Sequence, residues 1–328
     1  MGALVIGLGS IGERHLQNLL SLGISVSVFD LDQQRAREIS RKYSVPTVPS
    51  LDSVFSSYTF IFICTPTHTH VELAAAALGA GCHVFIEKPI AEKKSADLAA
   101  LVSLANSSEK LTLVGCNMRF HPGIREIKTL LDSGMLGRIY GVQAHIGHYL
   151  PNWRKTDYKK TYSARSDQGG GILLESIHEF DYLRWLFGDV AEISARTGRS
   201  GALDLDGEDL AEVTLLFQSG IVGHLHADCL QQMKRRGCEI IAEKGTFHWE
   251  SVGKNPEMAV FTLFRRNGEP IERRTMFVDP NEPYLAEMKY FLETIKQGGK
   301  TMNDVAEAAK TLHLVEMAKG SAKGASAP

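Results

Sequence analysis

Apolar residues arrive along the first 120 positions in short runs separated by helical stretches. Ala3–Gly7 is an apolar run that enters a glycine turn, and the segment from there to about Leu22 reads as a helix. Ser25–Asp30 is a second strand, and Asp32 to about Tyr43 is polar and helical. Tyr58–Cys64 is apolar without alternation, as expected for a parallel strand buried on both faces. Val71–Ala80 is a helix stopped by Gly81. His83–Glu87 is another strand, a helix begins near Ser95, and Leu111–Val114 closes the series. Strand–helix alternation at this pitch predicts a parallel, doubly wound α/β sheet.

The pattern changes after Phe120. Pro122–Leu131 reads as a helix, with Gly134 beyond its end. Strand-like runs then follow one another without helices between most of them: VQAHI, AEVTLLF, IVGHLHADCL, CEIIAE, TFHWE and AVFTLF. Gly220, Lys244–Gly245 and Asn267–Gly268 punctuate them as turns. This predicts an α+β domain with a large, mostly antiparallel open sheet. One helix, about Ile172–Phe187, interrupts the strands, and two more follow at about Tyr284–Lys296 and Asn303–Lys319. The expected division is residues 1–120, residues 121–320, and a small, polar, disordered tail at 321–328. The stretch Ala211–Trp249 carries more apolar strand surface than these few helices are expected to cover, which predicts a homo-oligomer.

Composition narrows the function. Of 328 residues, 36 are Lys or Arg and 38 are Asp or Glu, so the net charge is 36 − 38 = −2. That balance gives no electrostatic footprint for nucleic acid or an anionic membrane. No apolar run approaches the roughly 18 residues of a membrane span. The opening residues lack the basic start and apolar stretch of a signal peptide. The five cysteines, Cys64, Cys82, Cys116, Cys229 and Cys238, include no C-x-x-C pair, so buried, reduced thiols in a cytoplasmic protein are expected. His145 with His148, and His224 with His226, form no complete ligand set, and no metal is expected.

Gly7-Leu8-Gly9-Ser10-Ile11-Gly12 is G-x-G-x-x-G between an apolar strand and a helix. Gly7 suits a tight turn, Gly9 close approach to a pyrophosphate, and Gly12 close helix–strand packing. Asp30 lies 30 − 12 = 18 residues past the last glycine, where a carboxylate binds the ribose hydroxyls of NAD. A carboxylate there repels a 2′-phosphate and favours NAD; Arg35 keeps NADP possible. The loop Thr65-Pro66-Thr67-His68-Thr69-His70 follows a strand and is expected to line the cofactor cleft.

G-x-G-x-x-G-x-x-H (Gly7–His15), T-P-x-x-x-H (Thr65–His70), E-K-P (Glu87–Pro89) and G-x-N-x-R-F (Gly115–Phe120) occur in order. Gly169-Gly170-Gly171 then leads into a helix with His178. Over about residues 1–320 the chain resembles the glucose–fructose oxidoreductase, inositol dehydrogenase and MocA (Gfo/Idh/MocA) family. The resemblance implies a Rossmann domain, an open-sheet domain with one face on another subunit in a homodimer or homotetramer, and redox chemistry at a sugar or polyol carbon. It implies that Lys88 lies beside the nicotinamide and the substrate hydroxyl, before a cis proline at Pro89, and that Glu87 and Asn117 help bind cofactor. Many relatives carry an aspartate four residues before the histidine; here Leu174 stands there, and the chain looks like a branch in which Glu175 takes that place. On one continuous helix Glu175, His178 and Tyr182 share a face, and the resemblance implies Lys88, His178 and Glu175 as the catalytic candidates. Arg119, Tyr149, Trp153, Arg154, Arg165 and Tyr284 join Lys88 and His178 as candidate contacts to a carbohydrate substrate; an arginine suits a carboxylate or phosphate there. Y-L-P-x-W, S-A-R and H-E-x-D-Y resemble oxidoreductases of bacterial surface-polysaccharide sugar pathways, which points to a nucleotide-linked or acidic sugar. An NAD-assisted glycosidase with no net oxidation and a ligand-sensing regulator are the alternatives.

Overall fold

The computed structural model describes residues 2–52, 54–153, 157–160, 170–253, 257–264 and 268–322. They form two compact units, the first of Met1–Cys116 with Tyr284–Leu312, the second of Asn117–Pro283 with His313–Pro328.

In the first unit five strands, β1 (Gly2–Ile6), β2 (Ser25–Phe29), β3 (Phe60–Ile63), β4 (His83–Glu87) and β5 (Thr112–Gly115), pair in the order β2-β1-β3-β4-β5. Every pairing is parallel. Helices α1 (Ser10–Ser21), α2 (Gln33–Tyr43), α3 (His70–Gly79) and α4 (Ala96–Ser107) provide the crossovers. All four residues of β3 are buried, which explains the unbroken apolar run. Local chemistry sets the helix ends: Asp32 accepts from the Gln34 and Arg35 amides to start α2, and Ser95 accepts from Leu98 to start α4.

The first unit is completed by residues far along the chain. Met288, Phe291 and Leu292 of α8 (Glu282–Gln297) enter the core that holds Val5, Phe62 and Phe85. The Phe291 ring stands edge-on to Phe62 and Phe85, with centroids 6.2 and 6.1 Å away. Asn303 Nδ2 donates to the Val114 carbonyl at 2.9 Å, and the Asn303 carbonyl accepts from the Val114 amide at 2.8 Å. The expected assignment of residues 284–312 to the second domain is therefore corrected, because their apolar faces and amides complete the parallel sheet's layer.

The second unit is built on eight strands in the order β13-β12-β11-β10-β6-β9-β8-β7. They are β6 (Ile139–Gly147), β7 (Val190–Gly198), β8 (Leu210–Phe217), β9 (Val222–Asp228), β10 (Arg235–Ala242), β11 (Gly245–Val252), β12 (Glu257–Phe264) and β13 (Pro270–Val278). Only β6 and β9 run parallel; the other pairings are antiparallel. Helix α5 (Pro122–Asp132) precedes the sheet, and α6 (Ile172–Glu175) and α7 (Ile177–Phe187) follow β6. The register divides the sheet cleanly. Val213, Leu215, Leu225, Ile240, Phe247 and Trp249 lie on one face and are buried within the chain. The apolar surplus expected in Ala211–Trp249 is thus absorbed internally, a correction to the argument for an oligomer. The opposite face carries Glu212, His224, His226, Glu239 and His248, with Val222 and Phe277 exposed. Helix α9 (Val305–Ser321) extends into the expected disordered tail, where the Ser321 hydroxyl oxygen accepts from the Ala195 amide at 3.0 Å. Residues 323–328 lie outside the described residues.

Phe291→Ala should cost about 3–5 kcal/mol, as for a fully buried aromatic side chain. Hydrogen exchange should then accelerate in β3 and β4 and not in β10 and β11. Acceleration confined to the eight-stranded sheet would contradict this placement of α8.

Candidate active site

Gly7 ends β1 with φ +87°, and a Cβ on it would lie 2.7 Å from the Cys64 carbonyl oxygen. A Cβ on Gly12 would lie 1.9 Å from the Gly7 carbonyl oxygen. Neither position tolerates a side chain, so α1 packs directly against the turn that feeds it. Gly9 is different: a Cβ there meets nothing within 4 Å. No side chain among the described residues caps the first turn of α1, where Ser10 and Ile11 begin the helix. Open space over Gly9 and an uncapped, partly positive helix end fit a pyrophosphate.

Asp30 stands just past β2. Its Oδ2 accepts from the Leu8 amide at 2.7 Å and its Oδ1 from the Asp32 amide at 2.9 Å. Each oxygen retains a lone pair for a ribose hydroxyl. Thr65, Pro66 and Thr67 follow β3, beside β1, where the strand order reverses; ligands of open α/β sheets bind at such a point. These residues fit a dinucleotide.

The remaining motifs of the first unit meet at the end of β4. His15 is fully buried, and its Nε2 lies 2.6 Å from Glu87 Oε1. Glu87 Oε2 accepts from the Lys88 amide at 3.2 Å. The Lys88–Pro89 peptide is cis. His70 links both loops: Nδ1 lies 2.8 Å from the Pro89 carbonyl oxygen and Nε2 2.9 Å from that of Thr65. Burial pushes the His70 pKa down, against those two carbonyls, which favour the charged form. Tyr284 joins this group, with the Arg14 guanidinium 4.4 Å from its ring centroid and the His15 ring 6.2 Å away. Burial, then the Glu87 charge, raise the Tyr284 pKa; Arg14 and Lys88 oppose them. Chain order had placed Tyr284 in the second domain.

In the second unit the single expected helix is two. Ser176, with ψ 18°, breaks it: the Ser176 amide donates to Ile172 and the Ser176 carbonyl accepts from Glu179, three residues on. The one-face arithmetic for Glu175, His178 and Tyr182 is corrected accordingly, since Tyr182 is fully buried. Of the residues from Gly171 to Arg184, Glu175 and His178 are the two that reach the surface. Their neighbours anchor the helix instead. Arg119 donates to both oxygens of Asp181, at 2.8 and 2.7 Å, and Arg236 Nε pairs with Glu179 at 2.8 Å. Arg119 is 2% exposed and bound to Asp181, so the structure gives it a buried structural pairing in place of the expected substrate contact.

Glu175 lines a small cavity with Leu150, Trp153, Ile172, Glu208 and Cys229. Trp153 donates Nε1–H to the His148 carbonyl at 2.6 Å and stacks on the His148 ring. Glu208, which no sequence signal marked, accepts from the Leu173 amide at 3.2 Å. Gly171 has φ +104°, and a Cβ there would clash with Glu208 at 2.6 Å. Tyr149 and Asn117 are partly exposed in this unit. Arg154 and Arg165 lie outside the described residues.

A parallel sheet with an uncapped glycine turn and an acid past its second strand defines a dinucleotide-binding domain. Residues 1–116 match the oxidoreductase family with an NAD-binding Rossmann fold, and residues 124–248 match the Gfo/Idh/MocA C-terminal domain. The chain is 26% identical over 320 residues to a myo-inositol 2-dehydrogenase of Thermotoga maritima, covering 90% of this chain and 88% of that protein. It is 30% identical over 252 residues to inositol 2-dehydrogenase 3 of Saccharopolyspora erythraea, covering 74% and 71%. An oxidoreductase from Agrobacterium radiobacter, crystallised with NAD+, L-tartaric acid and magnesium, shares the fold. Its TM-score is 0.83 at 22% identity, over 98% of this chain and 96% of that one. The chain belongs to the Gfo/Idh/MocA family and is an NAD-binding oxidoreductase.

Arg119→Ala should leave Asp181 as an uncompensated buried charge and cost about 3–5 kcal/mol. A lower melting temperature checks this. Unchanged stability with a raised KM would return Arg119 to the substrate site.

Proposed function

We propose that the protein is an NAD-dependent dehydrogenase or reductase acting on a carbinol carbon of a sugar, polyol or nucleotide-sugar derivative. The observation that carries the reading is the support given to Lys88. Its amide is held by Glu87, Glu87 is held by the buried His15, and the following Pro89 carbonyl is held by His70. A lysine so fixed at the carboxyl end of a Rossmann strand is placed for proton exchange with a substrate hydroxyl. When bound, NAD supplies the hydride acceptor at its nicotinamide ring. In the second unit His178 is assigned proton exchange with, or orientation of, a substrate hydroxyl, and Glu175 the acceptance of a hydrogen bond from a hydroxyl. Trp153 offers the flat apolar face of a sugar a surface beside Glu175.

The dehydrogenases of inositol among its relatives support the polyol class. The Tyr149–Trp153 and His178–Tyr182 patterns support a role in surface-polysaccharide sugar chemistry. Five buried cysteines, none in a disulfide, support a cytoplasmic setting. No helix among the described residues is long and apolar enough to cross a membrane. The open sheet face with Val222 (51% exposed) and Phe277 (71%) is inferred to pair with a second copy. Light scattering should show a dimer or tetramer; a particle of only about 36 kDa at micromolar concentration would contradict it.

A panel of polyols, sugars and nucleotide sugars, followed together by NADH absorbance and product mass, tests the reading. Product forming with balanced NADH is the expected result. Product of hydrolysed mass without NADH would establish the NAD-assisted glycosidase, and binding without product the regulator. Lys88→Ala should lower kcat by about 10²–10⁴-fold with NAD affinity little changed. Near-wild-type kcat would sink the assignment.

A further inference from the structure

Glu13 lies in the first turn of α1, beside the glycine turn, and three side chains of α2 converge on it. Arg35 Nη2 donates to Oε2 at 2.6 Å. Lys42 Nζ and the Tyr43 hydroxyl each donate to Oε1 at 2.7 Å. The Lys42 hydrogen bond is the largest cause holding the Glu13 carboxyl at about 2, so it is ionised throughout the neutral range.

Arg35 is held at a second point. Its Nε donates to the Leu8 carbonyl at 2.9 Å, while the Leu8 amide donates to Asp30 at 2.7 Å. One residue of the glycine turn is therefore gripped by a cation at its carbonyl and an anion at its amide. In Rossmann domains an acid at this place binds the ribose hydroxyls, and an arginine nearby admits a 2′-phosphate. Both residue types are present here, on either side of Leu8. Arg35 and Lys42 contribute +2 and Glu13 and Asp30 contribute −2, so the balance of these four groups is zero. Without the Glu13 charge it becomes +1, facing the strongly anionic 2′-phosphate.

We propose that Glu13 determines the choice of dinucleotide: it tethers Arg35 against Leu8 and neutralises it, so that Asp30 alone addresses the ribose and NAD is selected over NADP. Glu13 acts through Arg35 and is a positioning residue. The inference needs only dinucleotide binding and is independent of the substrate and of Lys88.

Calorimetric titration of NAD+ and NADP+ into the full chain tests it without turnover. Glu13→Gln should tighten NADP+ about tenfold relative to NAD+, the scale of one charge-assisted hydrogen bond. The gain should shrink in high salt and vanish in Glu13→Gln/Arg35→Gln. An unchanged NADP+ to NAD+ ratio in Glu13→Gln, or a gain that survives the double substitution, would overturn the proposal. Arg35→Gln alone gives an arm that does not depend on Glu13→Gln folding. With the balance of these groups then at −1, it should not tighten NADP+ relative to NAD+, and a selective gain for NADP+ would overturn the proposal.

Discussion

The direct packing of Gly12 against the Gly7 carbonyl is the constraint on which the first unit's chemistry depends. With 1.9 Å between that oxygen and any Cβ, α1 descends onto the sheet with no intervening side chain. That approach carries His15 into the core, against Phe85 and within reach of Glu87 on β4. Glu87 then fixes the Lys88 amide, and His70 fixes the carbonyl beyond it. The glycine, E-K-P and T-P-x-x-x-H motifs are thus one mechanical assembly, although the chain presents them as three. Such support is what keeps a reactive group within the small tolerance that catalysis requires.

The second unit reaches a similar end by electrostatics. A buried ion pair, Arg119–Asp181, and a partly buried one, Arg236–Glu179, tie α7 to the segment after β5 and to β10. Removing such charges from water is costly, and close pairing is what offsets it. The pairs restrict how α7 can rotate. They leave Glu175 and His178 at the surface while Phe180, Tyr182 and Leu183 stay inside.

Much of this was legible in the chain, for identifiable reasons. Four of the five parallel strands are short, wholly or nearly buried apolar runs, β2 alternates serine with valine, and six strands of the large sheet show apolar character. The strands β7 and β13 were not apparent, because both lie at sheet edges, where residues such as Glu192, Arg196, Glu272 and Arg274 interrupt the pattern. The break at Ser176 had no signal, since helix formers flank it. Arg119 read as a substrate contact because its partner is 62 residues away. The apolar stripe of α8 announced burial without saying against which sheet. No motif marks Glu13, because Arg35, Lys42 and Tyr43 reach it only once α2 is folded alongside α1.

The return of residues 284–312 to the parallel sheet has a consequence for synthesis. A ribosome releases the chain in order, so β1 to β5 emerge long before Phe291 and Asn303 do. Until then Phe62 and Phe85 lack the Phe291 ring that stands edge-on to them, and the Val114 amide lacks its backbone partner. The nascent dinucleotide domain must wait, incompletely covered, while the entire eight-stranded sheet is made. Its covering layer is complete only once α8 and Asn303 have left the tunnel.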